Sequence, residues 1–325
     1  MNKMWAQVLT SPGQLEYKKI DIPDYNEDQI LVKLKTAAIC NGSDPDLLHD
    51  TEIYSPPYVF GHEPLGKVEA CGKEVKNFQV GDRVSWWFSQ GAFAEYVVVN
   101  PAEVAIVKVP DVISDTEGPL LELMTASYRA VKESDVYSET RVLIIGLGPS
   151  GLIMSQRAKA LGAKEVIGWD LYSLRREKGS ELGCDYVFDP RDEKIVEKTK
   201  KINSNIDLII DAMGNDRLPD EPTLDMAIQL LKNNGKIISY GHPSQGRRFN
   251  PSYFQRKAAS MESPVQQMDM IQKLIETGVQ DVMEGKVNLN SLVSKEIKLN
   301  EVSKGLKLVS QKPDKYLKLI VNIDK

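Results

Sequence analysis

Hydrophobic and polar positions alternate in short bursts over residues 1–122. The stretch QILVKLKTAAIC (29–40) opens the clearest run, followed by GKVEACG (66–72), GDRVSWWF (81–88), AFAEYVVVN (92–100) and VAIVKVP (104–110). Gly, Pro, Asn and Asp interrupt them at short intervals. A period of two broken by turn residues predicts a small, twisted, mostly antiparallel β domain. Apolar residues then fall on one helical face in DTEGPLLELMTASYRAV (115–131).

The rhythm changes at residue 141. RVLIIGLG (141–148) is a continuous apolar run, and PSGLIMSQRAKALGA (149–163) reads as a helix. Strands are then expected at KEVIGWD, CDYVFD, IDLIIDAMG and KIISYG, and helices at SLRREKGSELG, EKIVEKTKKIN and TLDMAIQLLKNNG. Strand alternating with helix predicts a parallel sheet covered on both faces. Past residue 262 the pattern turns helical and ends in one strand, YLKLIVNI (316–323). A lone terminal strand needs a sheet to complete, so the tail is expected to rejoin the first domain. The division expected is a β-rich domain over 1–122, a doubly wound α/β domain over 123–264, and a return to the first domain over 265–325.

Composition narrows the function classes. The chain has 325 residues, 42% hydrophobic and 27% charged, with a net charge of −5. No basic block stands out, so neither nucleic acid nor an anionic membrane is an expected partner. No apolar run approaches the roughly 18 residues of a membrane helix, and MNKMWAQVLTSPG lacks a signal-peptide core. A cytoplasmic location is expected. Three cysteines, Cys40, Cys71 and Cys184, form no disulfide framework.

Two motifs carry chemistry. IIGLGPSG places Gly146, Gly148 and Gly151 at G-x-G-x-x-G spacing, after an apolar strand and at the start of a helix. That context makes it a dinucleotide-binding fingerprint. Pro149 suits the first helical turn, and the free N–H groups around Ser150 face an anion together with the helix dipole. Asp170, at the end of the next strand, is placed to accept from both ribose hydroxyls of an adenosine. Its charge opposes a 2′-phosphate, which favours NAD, whereas Arg175 and Arg176 nearby are able to accommodate that phosphate.

The second motif is YVFGHEPLGKV (58–68), which holds His62 and Glu63. ICNGSD upstream supplies Cys40, Ser43 and Asp44, and GPLLELMTA downstream supplies Glu122. Thiolate, imidazole and carboxylate are donor types that zinc accepts, and three of them with one open position make a catalytic rather than a structural site. Drawn from three separated segments, they suit a cleft better than a zinc finger.

In order and spacing, ICNGSD, GHEPLGKVEACG, VGDRV, GAFAEYVVV, LLEL and IIGLGPSG resemble the zinc-dependent medium-chain dehydrogenases/reductases, in their sorbitol and threonine dehydrogenase branch. The likeness covers nearly the whole chain. It implies a GroES-like β domain joined to a Rossmann domain, with NAD as cofactor and one catalytic zinc held by Cys40, His62 and Glu122. It further implies that Glu63 sits beside the metal or enters its coordination sphere, that Ser43 relays the substrate proton, and that Asp44 orients the histidine. Three features depart from the branch. Asn41 and Gly42 stand where relatives carry one residue, LLEL replaces LLEP, and no cysteine remains between VGDRV and GAFAEYVVV. The structural zinc and its lobe are therefore not expected.

The reaction implied is hydride transfer between NAD and a secondary alcohol or ketone of a polyol, sugar, cyclitol or amino alcohol. A zinc-free NAD(P)H quinone or enoyl-type reductase, or a non-catalytic nucleotide-binding relative, are the alternatives on the same fold. Trp86, Trp87 and Phe88 are candidates for a substrate-pocket wall or for packing under a shortened loop. His49 is a candidate proton exit, His242 a cofactor-loop residue, and Arg247 with Arg248 a phosphate or carboxylate contact or a solvated turn. The last strand of the α/β sheet, near AASMES, lies at an edge, so a homodimer or homotetramer is expected.

Overall fold

The computed structural model describes residues 3–50, 53–87, 89–132, 135–202, 205–214, 223–241, 249–264 and 267–324. It divides into two compact units, one formed by Met1–Ala126 with Gln267–Lys325, the other by Ser127–Gln266.

The first unit begins with the hairpin β1 (Lys3–Ser11) and β2 (Gln14–Asp21), then β3 (Ile30–Ala38). A short helix α1 (Ser43–Leu47), β4 (Tyr58–Val59) and β5 (Glu63–Cys71) follow. Then come β6 (Arg83–Trp87), β7 (Tyr96–Val99), β8 (Ala105–Lys108) and α2 (Leu120–Tyr128). Alternation is visible in β3, whose burial runs in and out through Ile30, Val32 and Leu34 while Lys33 and Lys35 point away from the core.

The second unit is β9 (Arg141–Ile145), α3 (Pro149–Ala160), β10 (Glu165–Trp169), α4 (Ser173–Leu182), β11 (Tyr186–Phe188), α5 (Ile195–Ile202), β12 (Ile206–Asp211), α6 (Thr223–Ile228), β13 (Leu231–Ser239), α7 (Pro251–Lys257) and β14 (Ser260–Glu262). Its six strands lie parallel in the order β11-β10-β9-β12-β13-β14. The chain thus runs outward from β9 in one direction and then restarts beside it in the other, the doubly wound arrangement. Leu143, Ile145, Ile167, Trp169 and Ile209 make the core of one face.

One expectation fails here. TLDMAIQLLKNNG is not a helix throughout. Helix α6 ends at Ile228, and Leu231–Gly235 already belong to β13. Asn234 takes a left-handed φ of 59°, and the β12–β13 register slips between Ile206 and Leu208. The extra residues are absorbed as an irregularity in the strand, because Asn and Gly tolerate that backbone better than a helix interior does.

The tail holds α8 (Met268–Met283), β15 (Val293–Lys298), α9 (Val302–Gln311) and β16 (Lys318–Asn322). It contributes two strands, not one. Both join the sheet of the first unit in the order β15-β16-β3-β5-β6-β8, with β7 also on β3. The pairs are antiparallel except β15 with β16, which are parallel. Strand β16 is therefore an interior strand. Among the described residues no helix is long and apolar enough to cross a membrane.

Candidate metal centre and nucleotide turn

Cys40 and His62 are delivered by strand ends. Cys40 follows β3 by two residues, and the loop then enters α1 at Ser43. His62 immediately precedes β5. The turn before it needs Gly61, whose φ is +90° and whose absent Cβ would lie 2.6 Å from the Phe93 ring.

A sulfur of Cys40, a ring nitrogen of His62 and a carboxylate oxygen of Glu63 lie within 4.8 Å of one another. Ser43 Oγ donates to Cys40 Sγ at 2.9 Å and sits 3.1 Å from His62 Nε2. The one extra residue in the Asn41–Gly42 stretch therefore leaves the hydroxyl against both donors. Asp44, fully buried, lies 3.2 Å from His62 Nδ1 and accepts the Cys40 N–H at 2.9 Å. With Nδ1 facing the carboxylate, Nε2 is the nitrogen left to face an ion.

The charges favour a cation. Burial alone would keep His62 neutral, but the Asp44 carboxylate and the Cys40 sulfur outweigh it and raise its pKa well above the ordinary value. Glu122 lies outside the 4.8 Å trio. It is 6% exposed in the first turn of α2, and burial, with repulsion from Glu63 partly offset by His62, pushes its pKa up to about 8. A buried carboxyl in that condition gains from a nearby cation.

Lys318 was not singled out from the sequence. Its ammonium, wholly buried, lies 2.6 Å from both oxygens of Glu63 and donates to the Ile39 carbonyl at 2.7 Å. Burial works against its charge, but Glu63, with Cys40, holds its pKa above the usual lysine value. In LKLIV the lysine reads as the outward position of an alternating strand. The available signal was that a strand completing another sheet becomes interior, where a lysine needs a carboxylate.

The other candidates separate. Trp86 and Trp87 are 1% and 6% exposed. Trp86 Nε1 donates to Ser89 Oγ at 2.7 Å, and Trp87 packs with Ala105, Ile271 and Ile275. Both are core: α8 covers Trp87, while Trp86, on the opposite face of β6, packs in the cluster of Ile30, Val32, Phe60 and Phe93. A Cβ on Gly13 would lie 3.1 Å from the His49 ring, which places His49 against the β1–β2 turn. Phe88, His242, Arg247 and Arg248 lie outside the described residues.

In the second unit Gly148 precedes α3, with Pro149 in its first turn. A Cβ on Gly151 would fall 1.9 Å from the Gly146 carbonyl oxygen, so only glycine lets helix and strand approach this closely. At Gly148 the nearest atom to such a Cβ is Arg175 Nη1, 3.7 Å away, which leaves room over the turn. Ser150 Oγ receives the Tyr240 hydroxyl at 3.2 Å. Asp170 accepts from the N–H of Leu147 and of Tyr172, each at 2.8 Å. Arg175 Nη1 is 3.6 Å from Asp170 and its guanidinium lies 4.9 Å from the Tyr172 ring centre. Arg176 is otherwise engaged: it donates to the Asp170 carbonyl at 2.8 Å and reaches Asp189 at 3.2 Å.

A β-rich unit with a thiolate, imidazole and carboxylate pocket, in one chain with a doubly wound unit bearing a glycine turn, is the make-up of a metal-dependent dehydrogenase. Residues 26–111 match the family described as alcohol dehydrogenase GroES-like domain, and residues 149–280 that of zinc-binding dehydrogenase. Sorbitol dehydrogenase of Bacillus subtilis is 25% identical over 353 residues, covering 98% of this chain and 97% of its own. L-threonine 3-dehydrogenase of Vibrio parahaemolyticus is 28% identical over 258 residues, 69% of this chain and 73% of its own. The solved structure of 2R,3R-butanediol dehydrogenase from Bacillus subtilis shares the fold with a TM-score of 0.84 at 23% identity, covering 98% and 99% of the two chains. The chain belongs to the zinc-type medium-chain dehydrogenases/reductases.

The residues present fit such a metal. The donor set is one that zinc accepts, and its sulfur, ring nitrogen and carboxylate oxygen already lie within 4.8 Å of one another. The turn at Gly148 is likewise uncrowded, and a glycine turn at the start of a helix is the kind of place where a pyrophosphate binds.

Proposed function

We propose that the protein is an NAD-dependent zinc alcohol dehydrogenase acting on a secondary alcohol, or the corresponding ketone, of a polyol, sugar, cyclitol or amino alcohol. The observation that carries this reading is the approach of the Cys40 sulfur and a His62 ring nitrogen within 4.8 Å, with the Ser43 hydroxyl against both. When bound, zinc supplies Lewis acidity toward an alcohol or carbonyl oxygen, and the nicotinamide supplies hydride chemistry.

The chain's own residues do the rest. Cys40 and His62 hold a single catalytic ion, and Glu122 is the third ligand. That choice between the two glutamates rests on charge: Glu63 already faces the Lys318 ammonium, whereas Glu122 is buried with a raised pKa. Asp44 holds the imidazole with Nε2 toward the metal. The Ser43 hydroxyl takes the substrate proton and passes it outward. Gly146, Gly148, Pro149, Ser150 and Gly151 cradle the pyrophosphate, and Asp170, with Arg175 over the turn, receives the adenosine ribose. The edge strand β14 pairs with a second copy to give a homodimer, or a homotetramer built from dimers.

The test is the Cys40→Ala variant, assayed for zinc by elemental analysis and for NAD-linked turnover on a panel of polyols, sugars, cyclitols and amino alcohols. Loss of both zinc and turnover is expected. Turnover retained without zinc would end this reading. Light scattering at micromolar concentration checks the assembly, and a monomer there contradicts it.

A further inference from the structure

Two glutamates border the metal pocket, and the structure treats them differently. Both oxygens of Glu63 lie 2.6 Å from Lys318 Nζ, and both side chains are fully buried. The same ammonium donates to the carbonyl of Ile39, the residue before Cys40. Lys318 is itself fixed by the sheet: Ile320 pairs with Ala38, and the Ile39 N–H donates to the Leu319 carbonyl at 3.0 Å. Strand β16 thus presents one cation at the point where the Cys40 segment and the His62 segment meet.

We propose that Lys318 is a positioning residue that holds Glu63 back from the metal, so that the ion keeps an open position for substrate. This rests on the metal reading above. A carboxylate oxygen of Glu63 already lies within 4.8 Å of the sulfur and the ring nitrogen, close enough for it to become a fourth ligand. Four protein ligands make a closed, structural type of zinc site, and three make a catalytic one. The buried ion pair opposes that movement, because shifting Glu63 onto the metal leaves the buried Lys318 ammonium with the Ile39 carbonyl but no counter-charge, which is strongly unfavourable. Lys318 therefore decides coordination number without touching the ion.

The experiment compares Lys318→Met, Lys318→Arg and the double variant Lys318→Met with Glu63→Gln, each as the full chain loaded with zinc or with cobalt(II). Removing the cation frees Glu63 to ligate. Lys318→Met is expected to release zinc to a chelator at least about tenfold more slowly than the parent and to change the cobalt visible spectrum. Turnover is expected to fall by at least about tenfold. Lys318→Arg restores the parent spectrum and release rate. The double variant removes both charges and with them the unpaired one, so it remains informative if Lys318→Met does not fold. It is expected to keep the parent spectrum and a release rate within about threefold. Faster zinc release in folded Lys318→Met, or an unchanged spectrum, overturns the proposal. So does loss of zinc from the folded double variant, which would make Glu63 a resting ligand. Cys40→Ala serves as the control: zinc retained there defeats the metal reading itself, separately from the part given to Lys318.

Discussion

Asp44 Oδ1 lies 3.2 Å from Nδ1 of His62, while Oδ2 of the same carboxylate accepts the backbone N–H of Cys40 at 2.9 Å. One buried side chain thereby aligns a histidine ring and the backbone of a thiolate donor on another segment. Asp44→Asn keeps an acceptor for Cys40 but removes the charge that supports the imidazole. Zinc affinity is expected to fall about 10–100-fold, measured by competition with a chelator. An affinity within about twofold of the parent would mean that the carboxylate does not tune the histidine.

The metal-free protein should lose stability as pH rises from 4.5 to about 8. Burial, with Glu63 nearby, raises Glu122 from 4.5 to about 8, so across that window the folded chain binds a proton that the unfolded chain has released. Stability then falls with rising pH. His62 acts in the same sense. Burial opposes its charge but Asp44 overrides this, so its contribution is complete below its ordinary 6.5 and is lost as pH climbs through the raised value. Urea unfolding of chelator-treated protein across this range is the measurement. A stability that increases with pH would show that neither proton is held, and zinc-loaded protein should lack the decline.

Most of the architecture was legible and part of the centre was not, for identifiable reasons. Ile30, Val32 and Leu34 alternate with lysines because one face of β3 is buried, and such a pattern survives any tertiary context. RVLIIGLGPSG was equally plain, since the steric demand at Gly151 is local to the turn. Lys318 was hidden because its burial depends on β16 lying between β15 and β3, a pairing with a segment far away in sequence. The end of α6 was hidden too, because Leu231 continues an apolar pattern that fits helix and strand alike. Trp86 and Trp87 were ambiguous for a third reason: aromatic side chains serve cores and binding walls equally, and only tertiary packing decides, Trp87 against Ile271 and Ile275, Trp86 in the cluster of Phe60 and Phe93.

Asp170 is expected to set the cofactor preference. Asp170→Ala should raise the NADP to NAD ratio of kcat/KM by at least about tenfold, since the charge facing a 2′-phosphate is gone. It should also lower stability, because Leu147 and Tyr172 lose their acceptor. Adding Arg175→Ala should cancel the gain in NADP use. A ratio unchanged by Asp170→Ala would remove this residue from the discrimination.

Trp87→Ala tests the packing against α8. The ring is 6% exposed among Ala105, Ile271 and Ile275. Truncation should destabilise the protein by roughly 3–5 kcal/mol in chemical denaturation. The zinc content of the folded fraction should be unchanged. Loss of zinc at full folding would tie this tryptophan to the metal centre instead.

Glu63 and Lys318 stand 255 residues apart in the chain. The whole of the doubly wound unit, Ser127–Gln266, is translated between them. A ribosome therefore releases Cys40, His62 and Glu63 long before the cation that neutralises Glu63, so this buried ion pair forms only once the last strand of the chain has joined β3.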